Sequence, residues 1–584
     1  MIPEPLTDLA RPARGRPSRL ALAALAFSTL LLAALAWPFI AGFLWPGSGS
    51  QAASSAVQLT ATPSPFLPSG TPAPTPTLTA TPDTLGNGGA FGGAILLSLS
   101  EQGYSRLFWH QLAGQPLTRL TRGTWDDVQP AANPAGSQLA FASDRSGQWD
   151  LYLLDLQTGE TEQLSDDEAY DGRPSWSADG AWLAYEHADG EDLEVYIRPL
   201  DGSVEPLPVS AHAALDYDPA WRPGAQQLAF VSARGGSPQL WLVDLEVNGD
   251  ARFRLIIPSD SAQASPAWSP DGAWLAWAQQ EDGAWAIYAQ DLSDTSAGPH
   301  RLGLGSDPQW NLDGSAILAE LQDATRTYLT AYLPAGGLAL APELLPGRLE
   351  GAAWSSFALG QSLPDPLAAA ARVTPSAAWA AALSAAGTSR GTGALTEVTA
   401  PYAELNEAAL QPFDALRQRA SFLLGWDALS SLDSAFLPLG YLLPPDRQQD
   451  WLYTGRAFEL HNALLGAGWM AVVRQPVDGQ TYWRVYLKTA DQAGGQGRPL
   501  TELPWDLGAG QPAASAPGGL WIDFTALAAD YGFERLPALS SWRIYYPGTL
   551  FTQFALRAGL TWEEAMLQIY SAEDLAGILP TGSP

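Results

Sequence analysis

The sequence predicts an all-β six-bladed β-propeller, followed by a C-terminal α+β domain and preceded by an N-terminal transmembrane helix. Three observations carry this. A tryptophan-centred unit recurs every 42 to 47 residues through the middle of the chain, an uncharged apolar run lies near the N-terminus, and the patterning changes after residue 396. At 584 residues the chain is too long for one ordinary core, so more than one domain is expected.

The apolar run is Leu20–Trp45, with no charged residue in it. About 20 apolar residues span a bilayer, so it is long enough to cross with some tilt. Arg11, Arg14, Arg16 and Arg19 precede it, and no charge follows until Asp83. The positive-inside rule then leaves residues 1–19 as a cytoplasmic tail and the bulk of the chain extracytoplasmic, in a single-pass cell-membrane protein. The run exceeds the usual signal-peptide core, which favours a retained signal anchor. AASSA at 52–56 is the cleavage region of the alternative, a cleaved signal peptide. Residues 46–89 are Pro/Thr/Ser-rich and read as an extended linker.

From residue 90 to 357 the repeat takes over. Its inner-strand positions are Ala132, Trp176, Trp221, Trp268, Trp310 and Trp354. In the unit PAWSPDGAWLAWAQQEDGAWAIYAQDL, Pro-x-Trp is a short inner strand and Ser269-Pro-Asp-Gly272 a tight turn. Trp274–Trp277 and Ala284–Leu292 alternate as the next strands, and Arg301-Leu302 marks a fourth. Four short strands per period in the forties describe a propeller blade. The tryptophans read as packing between blades, with sugar stacking as the functional alternative. Gly93–Thr121 lacks an inner strand, and Ala352–Ser356 is an inner strand without a blade. The last segment is therefore expected to complete the first blade and close the ring.

WSPDG, SDRSG at 143–147, DLYLLDL at 150–156 and Leu120-Thr121 resemble the repeats of the TolB-type, WD-repeat-like bacterial propellers. The resemblance implies a periplasmic propeller that binds a protein partner at its face. The same repeats also accompany peptidases and sensors, so it specifies fold better than function. The chain departs from that family by its anchor and by lacking an α/β domain before the propeller.

Residues 358–396 are Ala/Gly-rich and read as a second linker, with a short helix at Ala377–Ala386. In 397–584, the stripe Phe413, Leu416, Ala420, Leu423 predicts a helix ending near Leu424. Residues 468–488 predict a β-hairpin turning at Asp478-Gly479. Trp521–Tyr531 suggests a helix, and Thr561-Trp-Glu-Glu is a capping box opening a helix to about Tyr570.

The net charge of -31 repels phosphate backbones, so nucleic acid is not an expected partner. There is no cysteine, which excludes disulfides and thiolate chemistry, and the five histidines form no local ligand pair. The Gly387-Thr-Ser389-Arg-Gly391 stretch matches a nucleophile elbow by letter but lies in a linker rather than between a strand and a helix. SWRIYYPGTLFTQF at 541–554 resembles the end of some cell-wall D-Ala-D-Ala peptidase domains. That resemblance implies a zinc site with two histidines, and this domain holds only His461. No enzyme is therefore expected.

One acidic set stands out. Asp126, Asp127, Asp171, Asp216, Asp218 and Asp307 enter the inner strands and are expected near the channel mouth. Such oxygens suit calcium or a partner's basic residue; the plainer reading is that each aspartate caps its own turn. Along 482–486, Tyr482, Arg484 and Tyr486 share one strand face and Trp483 and Val485 the other, so the first set is the more exposed. These observations predict an envelope binding or scaffold protein, recognising a protein or a peptidoglycan or other glycan ligand. An envelope hydrolase using the last domain, or the ectodomain of a membrane sensor complex, are the alternatives.

Overall fold

The computed structural model describes residues 92–111, 117–190, 192–210, 212–359, 362–372, 391–492 and 495–575. The predicted tail, transmembrane helix and first linker lie outside the described residues, as do the Ala377–Ala386 helix and Ser389. Among the described residues no helix is long and apolar enough to cross a membrane.

Residues 94–355 form six four-stranded antiparallel sheets. In five of them the strands follow chain order. In the remaining sheet Leu349–Ser355, from the far end of the repeat region, pairs antiparallel with Ala94–Glu101, with Ala94 opposite Ser355. The inner strands of successive sheets neighbour one another around a ring, and Leu349–Ser355 neighbours Asp127–Ala132.

The repeat explains this architecture residue by residue. At Ser269–Gly272 the Gly272 N–H donates to the Ser269 carbonyl at 2.8 Å, and Asp271 accepts from Ser269 Oγ and the Ala273 N–H. Gly272 sits at φ +67, and a Cβ there would come within 2.6 Å of the Pro223 carbonyl in the preceding sheet. Apolar cores lie between neighbouring sheets: Leu96, Leu107, Leu139, Phe141 and Tyr152 form one, and Ala276, Ile287, Ile317 and Tyr332 part of another. Trp176, Trp221, Trp268, Trp310 and Trp354 are all buried. Trp176, Trp268 and Trp310 donate their indole N–H to Ala131, Ala220 and Ala267 of the preceding inner strand, at 2.9, 3.2 and 3.0 Å. They are inter-sheet struts, which satisfies the ring nitrogen while burying the ring.

The C-terminal domain builds on the helix Glu407–Leu424, capped by Asn406 and stopped by Gly425 in the left-handed region. All four residues of its predicted stripe are buried. The hairpin Met470–Val477/Gln480–Lys488 turns through Asp478 and Gly479, both at positive φ. Three predictions need correction. Trp521 belongs to a strand, Leu520–Asp523, paired to the hairpin; the helix runs only over Phe524–Asp530, started by Asp523 accepting from the Ala526 N–H. The capping box at Thr561 is present, but its helix ends at Met566. Part of the segment read as a linker is folded: helix Asp365–Ala371 buries Leu367 against Leu107 and Leu154 of the propeller.

Candidate functional site

Each inner strand carries the same irregularity. Gln129, Arg173, Asp218, Ser265 and Asp307 adopt φ between +46° and +54°, and Gly351 adopts +126° at the equivalent place. The pairing register shifts there in every sheet. This is a β-bulge, and in five cases proline follows, which has no N–H for the bulge to orphan. In the five sheets whose bulge residue is not glycine, the bulge turns its side chain toward the ring axis. Neighbouring bulges are tied together: the Arg173 N–H donates to Gln129 Oε1 at 3.0 Å, and the Ser265 N–H to Asp218 Oδ2 at 2.8 Å.

The predicted carboxylates divide accordingly. Asp127, Asp171 and Asp216 begin inner strands, are buried, and pair within their own sheets. Their partners are Arg145 at 2.6 Å, His187 Nδ1 at 2.8 Å and Arg234 at 2.6 Å. Asp218 and Asp307 are bulge residues and face the axis. Both are bridged by Arg173, at 2.9 Å and 3.2 Å, and Asp307 comes from the opposite side of the ring. Asp126 accepts from the Ser105 N–H of the propeller at 2.5 Å and pairs with Arg419 of the C-terminal domain at 2.6 Å. The six do not converge on one point. Among the described residues Asp167, Asp171 and His187 hold ligand atoms within 4.8 Å of one another, a grouping that sequence spacing does not suggest because a hairpin creates it.

The axis opens into a chamber of about 580 Å³ that the C-terminal domain covers. One wall holds all six bulge residues with Glu186, Glu320, Arg348 and Glu350. The other holds Arg484, Tyr486, Arg498, Glu502, Asp523 and Arg535. The hairpin strand has turned Trp483 and Val485 into its own core, while Arg484 and Tyr486 line the chamber. Arg484 pairs with Asp523 at 2.7 Å and Glu502 at 3.6 Å, and Tyr486 Oη donates to Glu502 at 3.1 Å. Arg498 crosses to Glu350 at 3.0 Å, and Arg348 to Asp530 at 3.1 Å. Trp149 Nε1 donates to the Gln496 carbonyl at 2.7 Å. The domain is thus fastened to the propeller around the rim of the chamber.

Burial dominates the electrostatics here. It raises Glu186 to about 7, with Asp218 adding repulsion and Arg173 opposing it. It raises Glu320 to about 7, with Asp307 adding and Arg484, Arg348 and Arg173 opposing. It raises Asp144 to about 7, helped by Asp126 and opposed by Arg419. Unfolded carboxyls titrate near 4. Between pH ~4 and ~7 the native state therefore holds more protons than the unfolded one, and stability falls as pH rises through that window. His110, lowered by burial, acts the other way. A fall of about 1 kcal/mol for each of these carboxyls between pH ~6 and ~8 is expected, partly offset by His110, and melting curves at the two pH values measure it. Equal midpoints would contradict the assignment.

The TolB beta propeller domain family matches residues 90–208 and 150–357. Residues 90–357 are a TolB-type β-propeller. A TolB homolog of Chlorobium luteolum is 32% identical over 160 residues, 27% of this chain and 36% of that protein. An uncharacterized peptidase, YuxL of Bacillus subtilis, is 29% identical over 161 residues, 27% of this chain and 22% of that protein. The chain spans about a third of the first relative's length. The crystal structure of TolB from Acinetobacter baumannii superposes with a TM-score of 0.42 at 21% identity, over 46% of this chain and 67% of that one.

Several residues lining the chamber between this TolB-type propeller and the C-terminal domain are not picked out by sequence reasoning: Arg173, Glu186, Glu320, Arg348 and Arg535. Arg173 had a signal, since it stands before proline at the same repeat position as Asp218 and Asp307. Glu186, Glu320 and Arg535 come from strands whose patterning reports only burial, and Arg348 from the loop before Leu349–Ser355. His461 pairs with Asp433 at 2.6 Å on the exposed surface, away from the chamber lining.

Proposed function

We propose that this protein is a membrane-anchored, extracytoplasmic binding protein of the bacterial envelope, whose six-bladed propeller recognises its ligand through a mouth that its own C-terminal domain covers. The observation that carries this reading is the chamber. The propeller and the C-terminal domain each form one wall, and each contributes charged side chains aimed inward. Ligand sites favour such enclosed, inter-domain positions. The anchor at residues 20–45 and the tether at 46–89 would hold this chamber near the outer surface of the cell membrane, facing an envelope protein or the cell wall. Binding rather than catalysis fits the chamber best: its arginines and carboxylates neutralise each other in pairs.

Crosslinking of the full anchored chain in its own membrane tests the reading, with co-sedimentation on purified cell-wall sacculi beside it. Specific capture of one envelope component, or pelleting with sacculi, is the expected result. If neither occurs, the envelope-binding reading fails.

A further inference from the structure

Most charges lining the chamber are satisfied by the protein itself. Arg173, Arg348, Arg484 and Arg498 are each ion-paired, and the carboxylates of Glu186, Asp218, Asp307, Glu350, Glu502 and Asp523 are their partners. Asp323 accepts from its own turn, and Asp478 sits in the exposed hairpin turn. Two groups are left. On the propeller wall, the Glu320 side chain makes no ion pair or hydrogen bond among the described residues, although Asp307 and three arginines act on it. On the opposite wall, Arg535 makes no ion pair among the described residues.

Arg535 is held in place by neutral groups. Its Nη1 donates to Gln475 Oε1 at 2.6 Å, and its guanidinium lies over the Tyr482 ring at 5.2 Å. Gln475 and Tyr482 stand opposite each other on the hairpin face that carries Arg484 and Tyr486. Burial and the neighbouring Arg484 lower Arg535 to about 10, with Asp523 opposing. Arg535 Nη2 carries no hydrogen bond from the protein among the described residues. A planar guanidinium with a free N–H group in an enclosed site is suited to a carboxylate. Arg535 Nε also donates to the Ala324 carbonyl at 3.5 Å, two residues past the Glu320 strand Ile317–Gln322. The unpaired acid and the unpaired base both line the chamber.

We propose that the chamber binds a small zwitterion, an amino acid or short peptide, with its ammonium group on Glu320 and its carboxylate on Arg535. The inference rests on the reading of the chamber as a binding site and names the ligand class. A volume of about 580 Å³ accommodates a molecule of that size.

Calorimetric titration of the full chain in detergent, at neutral pH, tests it with glycylglycine, its N-acetylated form and its C-terminal amide. Glycylglycine should bind, and each blocked form about tenfold more weakly or worse. Glu320→Gln should weaken glycylglycine by about tenfold and leave the N-acetylated form unchanged. Arg535→Gln should weaken glycylglycine likewise and leave the amide unchanged. A merely structural role would not produce that ligand-dependent pattern. Equal binding of free and blocked dipeptides overturns the proposal, as does no response to the dipeptide, glycine or alanine at millimolar concentration. Native mass spectrometry of the purified chain separates the two failures. A retained small molecule that is not zwitterionic overturns the ligand class and keeps the binding reading; an empty chamber with no response overturns both.

Discussion

Arg419→Ala is expected to lower the stability of the folded chain by about 3–5 kcal/mol, the cost of removing one partner from a buried charge cluster. Arg419 is 6% exposed and rises from the helix Glu407–Leu424 into the propeller rim. It meets Asp126 at 2.6 Å and Asp144 at 3.8 Å, and lies over the Tyr104 ring at 4.4 Å. Without it, two carboxyls face each other with no cation between them. Denaturant unfolding measures the loss, and proteolysis should cut the C-terminal domain first. The double variant Arg419→Ala, Asp126→Asn should lose less than the single one, because it removes the orphaned charge as well. A loss below about 1 kcal/mol in the single variant would place the docking energy elsewhere.

Arg173→Met carries the second large effect. Arg173 bridges Asp218 at 2.9 Å and Asp307 at 3.2 Å, with Glu186 at 3.9 Å. Burial opposes its charge, and those three carboxylates hold it more firmly protonated than a free arginine. Its side chain is 36% exposed to the chamber, so part of the cost is screened. A loss of about 2–4 kcal/mol at pH ~8 is expected, smaller at pH ~5, where Glu186, raised to about 7 by burial, has taken up its proton. Unfolding curves at the two pH values decide this. A loss that does not change with pH would mean the arginine acts by packing alone.

The propeller was legible in the sequence because each sheet solves the same packing problem with the same residues. Trp176, Trp268 and Trp310 recur because each must reach one carbonyl in the sheet before it. The strand Gln480–Lys488 was legible for a simpler reason: alternation separates Trp483 and Val485 from Tyr482, Arg484 and Tyr486. The acidic inner-strand loops were visible as a set, but their division was not. Asp216 and Asp218 are two residues apart, yet one is locked to Arg234 and the other faces the axis, because a bulge lies between their roles. The pairings of the arginines that complete the site were illegible. Arg173 finds Asp307 across 134 residues and Arg419 finds Asp126 across 293, distances at which no local pattern survives. The covering of the mouth by the chain's own domain was invisible for the same reason.

The ring closes by antiparallel pairing of Ala94–Glu101 with Leu349–Ser355, and Ala94 stands opposite Ser355. The chain therefore enters and leaves the propeller at the same end of one strand pair. A pull between the upstream tether and the downstream domain loads that seam as a zipper, one hydrogen-bonded pair at a time, instead of shearing all its bonds together. A seam of that geometry yields at low force. Mechanical strength would then come from the clasp that Arg419, Arg498 and Arg348 make across the rim, so that the covering domain doubles as the strain relief of the ring it sits on.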